Sequence, residues 1–374
     1  MRLIYFSPVC WSSYRQRPHY FVNYFLKHHG CEVLWVNPYP NRLPRIGDFR
    51  RRSSLNDQKT ERPCGLTETG VPALPIEPIP GGSMINRWLL WRIFLRRVEA
   101  FVAQGPCVIG IGRPSRLALM VLLSRSWRLS FLDAMDDFPE FYTGISRRAM
   151  QQVEFEIARR VDRVLVSSSD LEDKFRRLST VNPVITLLNA FDPTLIRPRW
   201  TEPVGRPVLG YIGTISDWFD WDLVTQLASE ADWCDVHLVG PVFTRIPRSL
   251  PSNLRLFPPC NHDEINQLLD GFSAGLIPFK VNRLTRGVDP VKFYEYRCKG
   301  LPVLTTAFGQ MVPRLGEEGV YRLDFDDLSD SVRRALTFRA APEKLSQWIL
   351  ANSWEYKLDR SGLFTVIPAC RSEN

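Results

Sequence analysis

No stretch of this chain is as informative as Val288-Asp289-Pro290-Val291-Lys292-Phe293-Tyr294-Glu295-Tyr296-Arg297-Cys298-Lys299-Gly300-Leu301-Pro302-Val303-Leu304. A proline next to the first helical turn starts a helix without wasting a backbone donor, so a helix is predicted over Val291–Lys299. Gly300-Leu301-Pro302 stops it and returns the chain to a strand over Pro302–Thr305. The start of such a helix offers free N–H groups and a partial positive charge to a phosphate. Lys292 adds an ammonium in that turn, and Glu295 lies one turn on along roughly the same face. From there its carboxylate could accept hydrogen bonds from two ribose hydroxyls. The bland alternative is a generic helix–strand unit with Lys and Glu on its surface.

Outward from this segment, strand and helix alternate along the whole chain, the mark of parallel sheets covered by helices. In the first half, strands are expected at Leu3–Ser7, Glu32–Val36, Cys107–Gly112, Leu129–Leu132, Arg163–Ser167 and Val184–Leu188. Helices are expected at Pro18–His29, Asn86–Gln104, Ser115–Ser124, Arg147–Arg160 and Ser169–Leu178, the last capped by Ser169 or Asp170. The polar, Arg-rich stretch Pro38–Glu68 is too long for an ordinary loop. Pro193–Pro207 holds four prolines and reads as a linker. Beyond it, strands at Val208–Ile212, Val236–Val239, Leu254–Phe257 and Ala274–Pro278 alternate with helices at Trp221–Ser229 and Asp263–Asp270. Helices at Leu328–Phe338 and Glu343–Asn352 close this half. The expected domains are 1–192, the linker 193–207, 208–350, and a segment 351–374, including Trp354, that crosses back to the first domain. Two such halves imply a cleft with ligands at the C-terminal ends of the strands.

The pattern Asp-Pro-x-Lys-x-x-Glu-Tyr…Gly-x-Pro-Val resembles the donor-binding helix of GT-B glycosyltransferases, closest to those of bacterial surface-polysaccharide synthesis, the teichuronic-acid and xanthan-type transferases. Tyr211-Ile212-Gly213-Thr214-Ile215 is similar to the first strand and glycine loop of that family's donor domain. His237-Leu238-Val239-Gly240-Pro241 and Ala274-Gly275-Leu276-Ile277-Pro278-Phe279 are similar to two further strand ends. In the first half, Ala158–Ser169 and Leu188-Asn189-Ala190-Phe191-Asp192 resemble family segments as well. The resemblance implies an α/β fold of GT-B type, two Rossmann-like domains facing a central cleft. It implies a donor site with Lys292 at the diphosphate, Glu295 at the ribose, and Asp289 and Phe293 beside them. Gly213, Thr214 and Gly240 would let backbone approach the phosphates, and Lys280 and Arg286 flank the loop that holds Gly287.

The implied activity is transfer of a sugar from a nucleotide-diphosphate donor, a UDP-sugar by resemblance, to a saccharide or lipid-linked acceptor. The nucleotide-sugar is a substrate, and no cofactor or metal is expected. Retaining members often carry a second carboxylate eight residues before the ribose-binding Glu; Gly287 stands there, which favours inversion. Lys280 and Arg286 could recognise an anionic sugar such as a uronic acid. An inverting transfer needs a base for the acceptor hydroxyl. By position, Asp136 in Asp133-Ala134-Met135-Asp136-Asp137 matches the base of the xanthan-type relatives, with Asp137 and Asp133 as alternates. Each could equally be a helix cap or turn aspartate. His19 could serve as base or meet an acceptor phosphate, or be an exposed first-turn histidine. Arg15 and Arg17 suit an anionic acceptor, or are solvated loop arginines. Asp220-Trp221-Asp222 superficially resembles a metal-binding D-x-D but opens a helix, where Asp caps.

Composition narrows the partners. Net charge is +8 and pI near 9.1, which calls for an anionic partner. No zinc finger, RNP-type motif or basic heptad accompanies the charge, so nucleic acid is not expected. The charge is concentrated in Arg42–Arg62 and Arg87–Arg97. Within Met84–Val102, Trp88, Trp91, Phe94 and Phe101 lie beside Arg87, Arg92, Arg96 and Arg97, the composition of an interfacial helix on an anionic membrane. Its apolar residues do not gather on one stripe, and a helix packed on the sheet with snorkelling arginines fits as well. No run of ~20 apolar residues appears, the N-terminus reads as a strand rather than a signal peptide, and the eight cysteines are scattered singly. A cytoplasmic protein, peripheral on the membrane's cytoplasmic face, is expected. Two rivals remain: a GT-B-shaped nucleotide-sugar epimerase or hydrolase, and a silent GT-B subunit scaffolding a polysaccharide assembly complex.

Overall fold

The structure, a computed structural model, describes residues 1–13, 15–30, 32–43, 62–178, 182–199, 203–260 and 262–365. Most of the Pro38–Glu68 stretch and of the basic run Arg42–Arg62 lies outside these described residues. The chain divides into two compact units, Met1–Leu187 with Leu358–Asn374, and Leu188–Lys357.

In unit 1 the strands are β1 (Arg2–Phe6), β2 (Glu32–Val36), β3 (Leu66–Thr69), β4 (Cys107–Ile111), β5 (Leu129–Ala134), β6 (Arg163–Val166) and β7 (Val184–Thr186). They form one sheet in the order β3-β2-β1-β4-β5-β6-β7, every pair parallel. Its helices are α1 (Arg17–His28), α2 (Gly82–Leu89), α3 (Arg92–Val102), α4 (Arg116–Leu123), α5 (Gly144–Ala158) and α6 (Ser169–Arg177). The central strands are buried along nearly their whole length. Both sheet faces are covered, so these strands read as continuous apolar runs.

Three expectations change here. Leu66–Thr69, read as the end of a polar stretch, is the edge strand β3; only Thr69 of it is buried, so no apolar run announced it. The single helix over Asn86–Gln104 is two helices. The Asn86 carbonyl accepts from both Leu90 N and Trp91 N at 2.9 Å, which closes α2, and Trp91 turns fully into the core. The cap of α6 is Ser168, whose extended backbone lets its hydroxyl accept from Leu171 N at 3.3 Å; neither Ser169 nor Asp170 caps it.

In unit 2 the strands are β8 (Val208–Ile212), β9 (Asp235–Val239), β10 (Leu254–Phe257), β11 (Ala274–Ile277), β12 (Val303–Thr305) and β13 (Val320–Arg322). They run parallel in the order β10-β9-β8-β11-β12-β13. The helices are α7 (Trp221–Glu230), α8 (His262–Asp270), α9 (Arg283–Arg286), α10 (Val291–Cys298), α11 (Leu328–Thr337) and α12 (Pro342–Ala351), while α13 (Trp354–Arg360) begins in unit 2 and ends in unit 1. The strand order reverses at β8/β11 here and at β1/β4 in unit 1, the place where such sheets bind ligands. Ile196, in the Pro-rich stretch 193–207, is buried in the core of unit 2, and Cys298 Sγ donates to its carbonyl. Ser353 pairs with Phe191, and Trp354 is buried within the same unit. The return to unit 1 comes at Leu358, where Phe364 packs 5.3 Å from Phe21.

Candidate active site

The donor-side residues converge at the switch point of unit 2. β8 ends in Tyr211-Ile212, and Gly213 follows with φ of +142°, a conformation that L side chains rarely adopt. A side chain at Gly213 would also meet the Lys292 Cε and Nζ at 2.5 and 2.6 Å. Gly240, with φ of +140°, is equally constrained, because a Cβ there would lie 2.2 Å from the Gly213 carbonyl oxygen. The two loops thus press together, and the Lys292 ammonium rests over them.

Helix α10 delivers that ammonium. Pro290 precedes its first residue, and Val291 is 36% exposed, while Asp289, Pro290, Phe293 and Tyr294 around it are buried. Tyr296, one turn on along the same face as Lys292, accepts the Ile212 N–H at 3.1 Å and ties the helix to the end of β8. The Lys292 Nζ lies 5.2 Å from the Tyr211 ring centre and 5.9 Å from that of Phe279. It forms no ion pair among the described residues. Burial pulls its pKa below the usual ammonium value, and Glu295 partly offsets this. Glu295 is half-buried, accepts no side-chain hydrogen bond among the described residues, and has a pKa raised by burial against the pull of Lys292. An ammonium and a carboxylate that feel each other, with no ion pair or side-chain hydrogen bond among the described residues, are costly unless something else uses them.

Other donor-side expectations need correction. Asp289 is buried and fully engaged: its carboxylate accepts from Asn189 N at 2.7 Å, Tyr294 Oη at 2.9 Å and Arg314 Nη1 at 2.8 Å. It holds the start of α10 in place instead of reaching a ligand. Phe293 is buried, with the Arg314 guanidinium 4.1 Å from its ring centre. The Gly213 N–H is spent on Val239 O and that of Gly240 on Phe257 O, so neither offers a donor to phosphate. Thr214 remains the backbone candidate; its own carbonyl accepts from Tyr211 Oη at 2.7 Å. Lys280 and Arg286 are exposed, at the two ends of a short segment in which Asn282 caps α9 through Thr285 N at 3.1 Å. Gly287 has a φ of −86°, which any residue adopts, so backbone geometry does not explain the missing acid. Asp220 caps α7, accepting from Leu223 N at 3.2 Å.

In unit 1 the structure separates three aspartates that look alike in sequence. Asp133 belongs to β5 and is buried. It accepts from Tyr5 Oη at 3.0 Å and Arg17 Nε at 2.8 Å. Arg17 is therefore neither a solvated arginine nor an acceptor ligand; it also donates to Leu187 O at 2.6 Å. Asp137 pairs with Lys174 Nζ at 2.7 Å, and the same ammonium reaches buried Glu154 at 2.6 Å. Asp136, past the end of β5, is half-buried and accepts no side-chain hydrogen bond among the described residues. Burial raises its pKa to about 7; Arg17 opposes that shift, while Asp137 and Asp133 add to it. A carboxylate poised near neutrality is suited to take a proton. His19 is buried between Trp11 and Trp35, with ring centres 4.9 and 5.1 Å away. Its Nδ1 accepts from Gln16 N and its Nε2 donates to Trp11 O, both at 3.1 Å, which leaves no lone pair for catalysis. It is not the exposed first-turn histidine of the sequence reading. Arg15 is exposed. Sequence reasoning missed Tyr211, Phe279, Arg314 and Lys174, whose roles arise from partners remote in the chain.

No protein-family model matches the chain. Over 175 residues it is 27% identical to a Bacillus subtilis (strain 168) protein named as a teichuronic acid biosynthesis glycosyltransferase, TuaH. The match takes in 43% of this chain, and the chain spans less than half, 44%, of that protein's length. Among solved structures, the lipopolysaccharide outer core galactosyltransferase WaaB aligns with a TM-score of 0.61 at 9% identity, over 98% of this chain and 99% of that one. Sucrose-phosphate synthase from Thermosynechococcus elongatus aligns at 0.58 with 14% identity, over 98% and 94%. AviGT4, a glycosyltransferase involved in avilamycin A biosynthesis, aligns at 0.55 with 15% identity, over 96% and 95%. Likeness at these identities is a likeness of fold. With two parallel Rossmann-like sheets, each reversing strand order at its first strand, the chain has the GT-B fold of these glycosyltransferases.

Proposed function

We propose that this protein is a glycosyltransferase that moves a sugar from a nucleoside-diphosphate donor, a UDP-sugar, to a saccharide or lipid-linked acceptor in surface-polysaccharide synthesis. One observation carries the reading: the Lys292 ammonium, in the first turn of α10, lies over the Gly213 loop with no carboxylate bound to it among the described residues. A diphosphate is the chemistry that such a cation, the first N–H groups of α10 and Thr214 would receive. Glu295 would accept hydrogen bonds from the ribose hydroxyls. The name of the Bacillus subtilis relative supports the pathway.

In the reaction the acceptor oxygen attacks the anomeric carbon as its proton passes to Asp136. The bond from that carbon to the diphosphate oxygen breaks, and the charge that develops on the leaving group is met by Lys292 and the helix start. A single displacement inverts the anomeric centre, in keeping with glycine rather than an acid at 287. These groups supply the counter-charge, so the transfer is read as metal-independent. Lys280 and Arg286, with Arg283 beside them, are exposed cations suited to a uronic acid donor. Equal affinity for neutral and acidic UDP-sugars would remove that refinement.

The free thiols of the described cysteines fit a reducing, cytoplasmic compartment. A lipid-linked acceptor would bring the protein to the cytoplasmic face of the membrane, although no helix among the described residues is long and apolar enough to cross one. A thermal-shift panel of nucleotide-sugars tests the donor reading, because a ligand of the native state raises the melting temperature. UDP-sugars should stabilise the protein, and no response to any nucleotide-sugar would refute it. Donor turnover without acceptor would point to an epimerase or hydrolase.

A further inference from the structure

Helix α2 is inside out. Its polar Asn86 is 0% exposed, while Met84, Trp88 and Leu89 are 62%, 65% and 70% exposed. Asn86 is drawn inward by the backbone of Leu74: its Oδ1 accepts from Leu74 N at 2.8 Å and its Nδ2 donates to Leu74 O at 3.0 Å. With Asn86 fixed, Met84, Ile85, Trp88 and Leu89 fall within an arc of about 140° whose centre points away from it. The break at Leu90 then starts α3 in a new register, which is why no single stripe shows in the sequence over Met84–Val102. Ile93, 68% exposed on α3, and Ile79, exposed before α2, extend the apolar surface. Trp91 stays in the core, 5.8 Å from Tyr39, and anchors the junction of α2 and α3.

So large a run of exposed apolar side chains is unusual on a surface that faces only water. The residues around it choose the occupant. Arg87, Arg92 and Arg96 are exposed, and none forms an ion pair among the described residues, although Glu99 lies on the same helix. Apolar side chains rimmed by unpaired arginines complement an anionic bilayer, in which the apolar face enters the headgroup boundary and the guanidinium groups meet phosphates. We infer that the α2–α3 segment is a membrane-docking element, with Met84, Ile85, Trp88, Leu89 and Ile93 entering an anionic lipid surface. This deepens the proposal of a lipid-linked acceptor, and rests on it only for the purpose of docking.

Flotation of the full-length protein with phosphatidylglycerol-containing vesicles and with pure phosphatidylcholine vesicles tests the inference. The protein should float with the anionic vesicles at low salt and be released as salt rises. Trp88→Ser with Leu89→Ser should lower partitioning by more than about tenfold. Each of Arg87→Ala, Arg92→Ala and Arg96→Ala should lower it by about fivefold. All five replaced side chains are exposed, so melting temperature and its shift with UDP should be unchanged. That control separates failure of docking from failure of the donor reading. Absence of binding at low salt, or undiminished binding by the Trp88/Leu89 variant, would overturn the inference. So would light scattering in which the wild type is a dimer and that variant a monomer, since the patch would then seat a second copy.

Discussion

Replacing Lys292 by methionine should weaken nucleotide binding while leaving the free protein at least as stable. In the free protein the ammonium is half-buried over two aromatic rings, has no carboxylate bound, and has a pKa drawn down by burial. Methionine keeps most of the stem and removes the charge. The loss of a cation–π contribution of roughly 0.5–1 kcal/mol is outweighed by relief of a desolvation cost of about 1–2 kcal/mol, so the net effect should be a gain of about 0.5–1 kcal/mol. For a unit of this size that is a rise of roughly 1–4 °C in melting temperature. With UDP the sign reverses. A hydrogen bond to a charged group contributes about 1.5–3 kcal/mol, so the dissociation constant should rise about 10- to 150-fold. Calorimetric titration of UDP and thermal scans of both proteins, free and saturated, measure the two effects. The pH dependence gives a third reading. A folded-state pKa below the unfolded one means that the unfolded chain binds more protons between the two values. Wild-type stability therefore gains as pH rises through that alkaline window, and the methionine variant lacks this increment. Unchanged UDP affinity, or a melting temperature several degrees lower, would show that Lys292 is a structural strut, and the donor-site argument would fail.

Asp136→Asn should lower the transfer rate by about 10²–10⁴-fold with UDP binding intact, and the wild-type rate should rise with pH through about 7. Because the folded-state pKa of Asp136 is raised, its stabilising contribution is present below the ordinary carboxylate value and is lost as pH climbs through about 7. The asparagine variant should therefore melt above the wild type at pH 8 and match it in acid, as thermal scans across pH would show. Asp289→Ala strands a buried Arg314 and should cost about 3–5 kcal/mol in denaturant unfolding of unit 2. Gly240→Ala drives a Cβ against the Gly213 carbonyl at a positive φ; a loss of about 1–3 kcal/mol, with weaker UDP binding, is expected from thermal and calorimetric measurements.

The α/β architecture, the helix from Val291 and the glycine loop after β8 were legible in residue order, because apolar period, a proline at a helix start and a glycine at a strand end are local signals. The fate of individual polar groups was not. Asp133, Asp136 and Asp137 are near neighbours in sequence, yet one is locked by Arg17, one is held by Lys174, and one has no side-chain hydrogen bond among the described residues. Asp289 and His19 fitted ligand-facing roles by position until Arg314, Asn189, Trp11 and Trp35 claimed them. Even the outward face of α2 was hidden until Asn86 found the Leu74 backbone. Most of the backbone conformation follows from local signals along the chain, β3 and the break between α2 and α3 excepted. Whether a charge is paired, buried or left available depends on groups that only folding brings within about 3 Å of it.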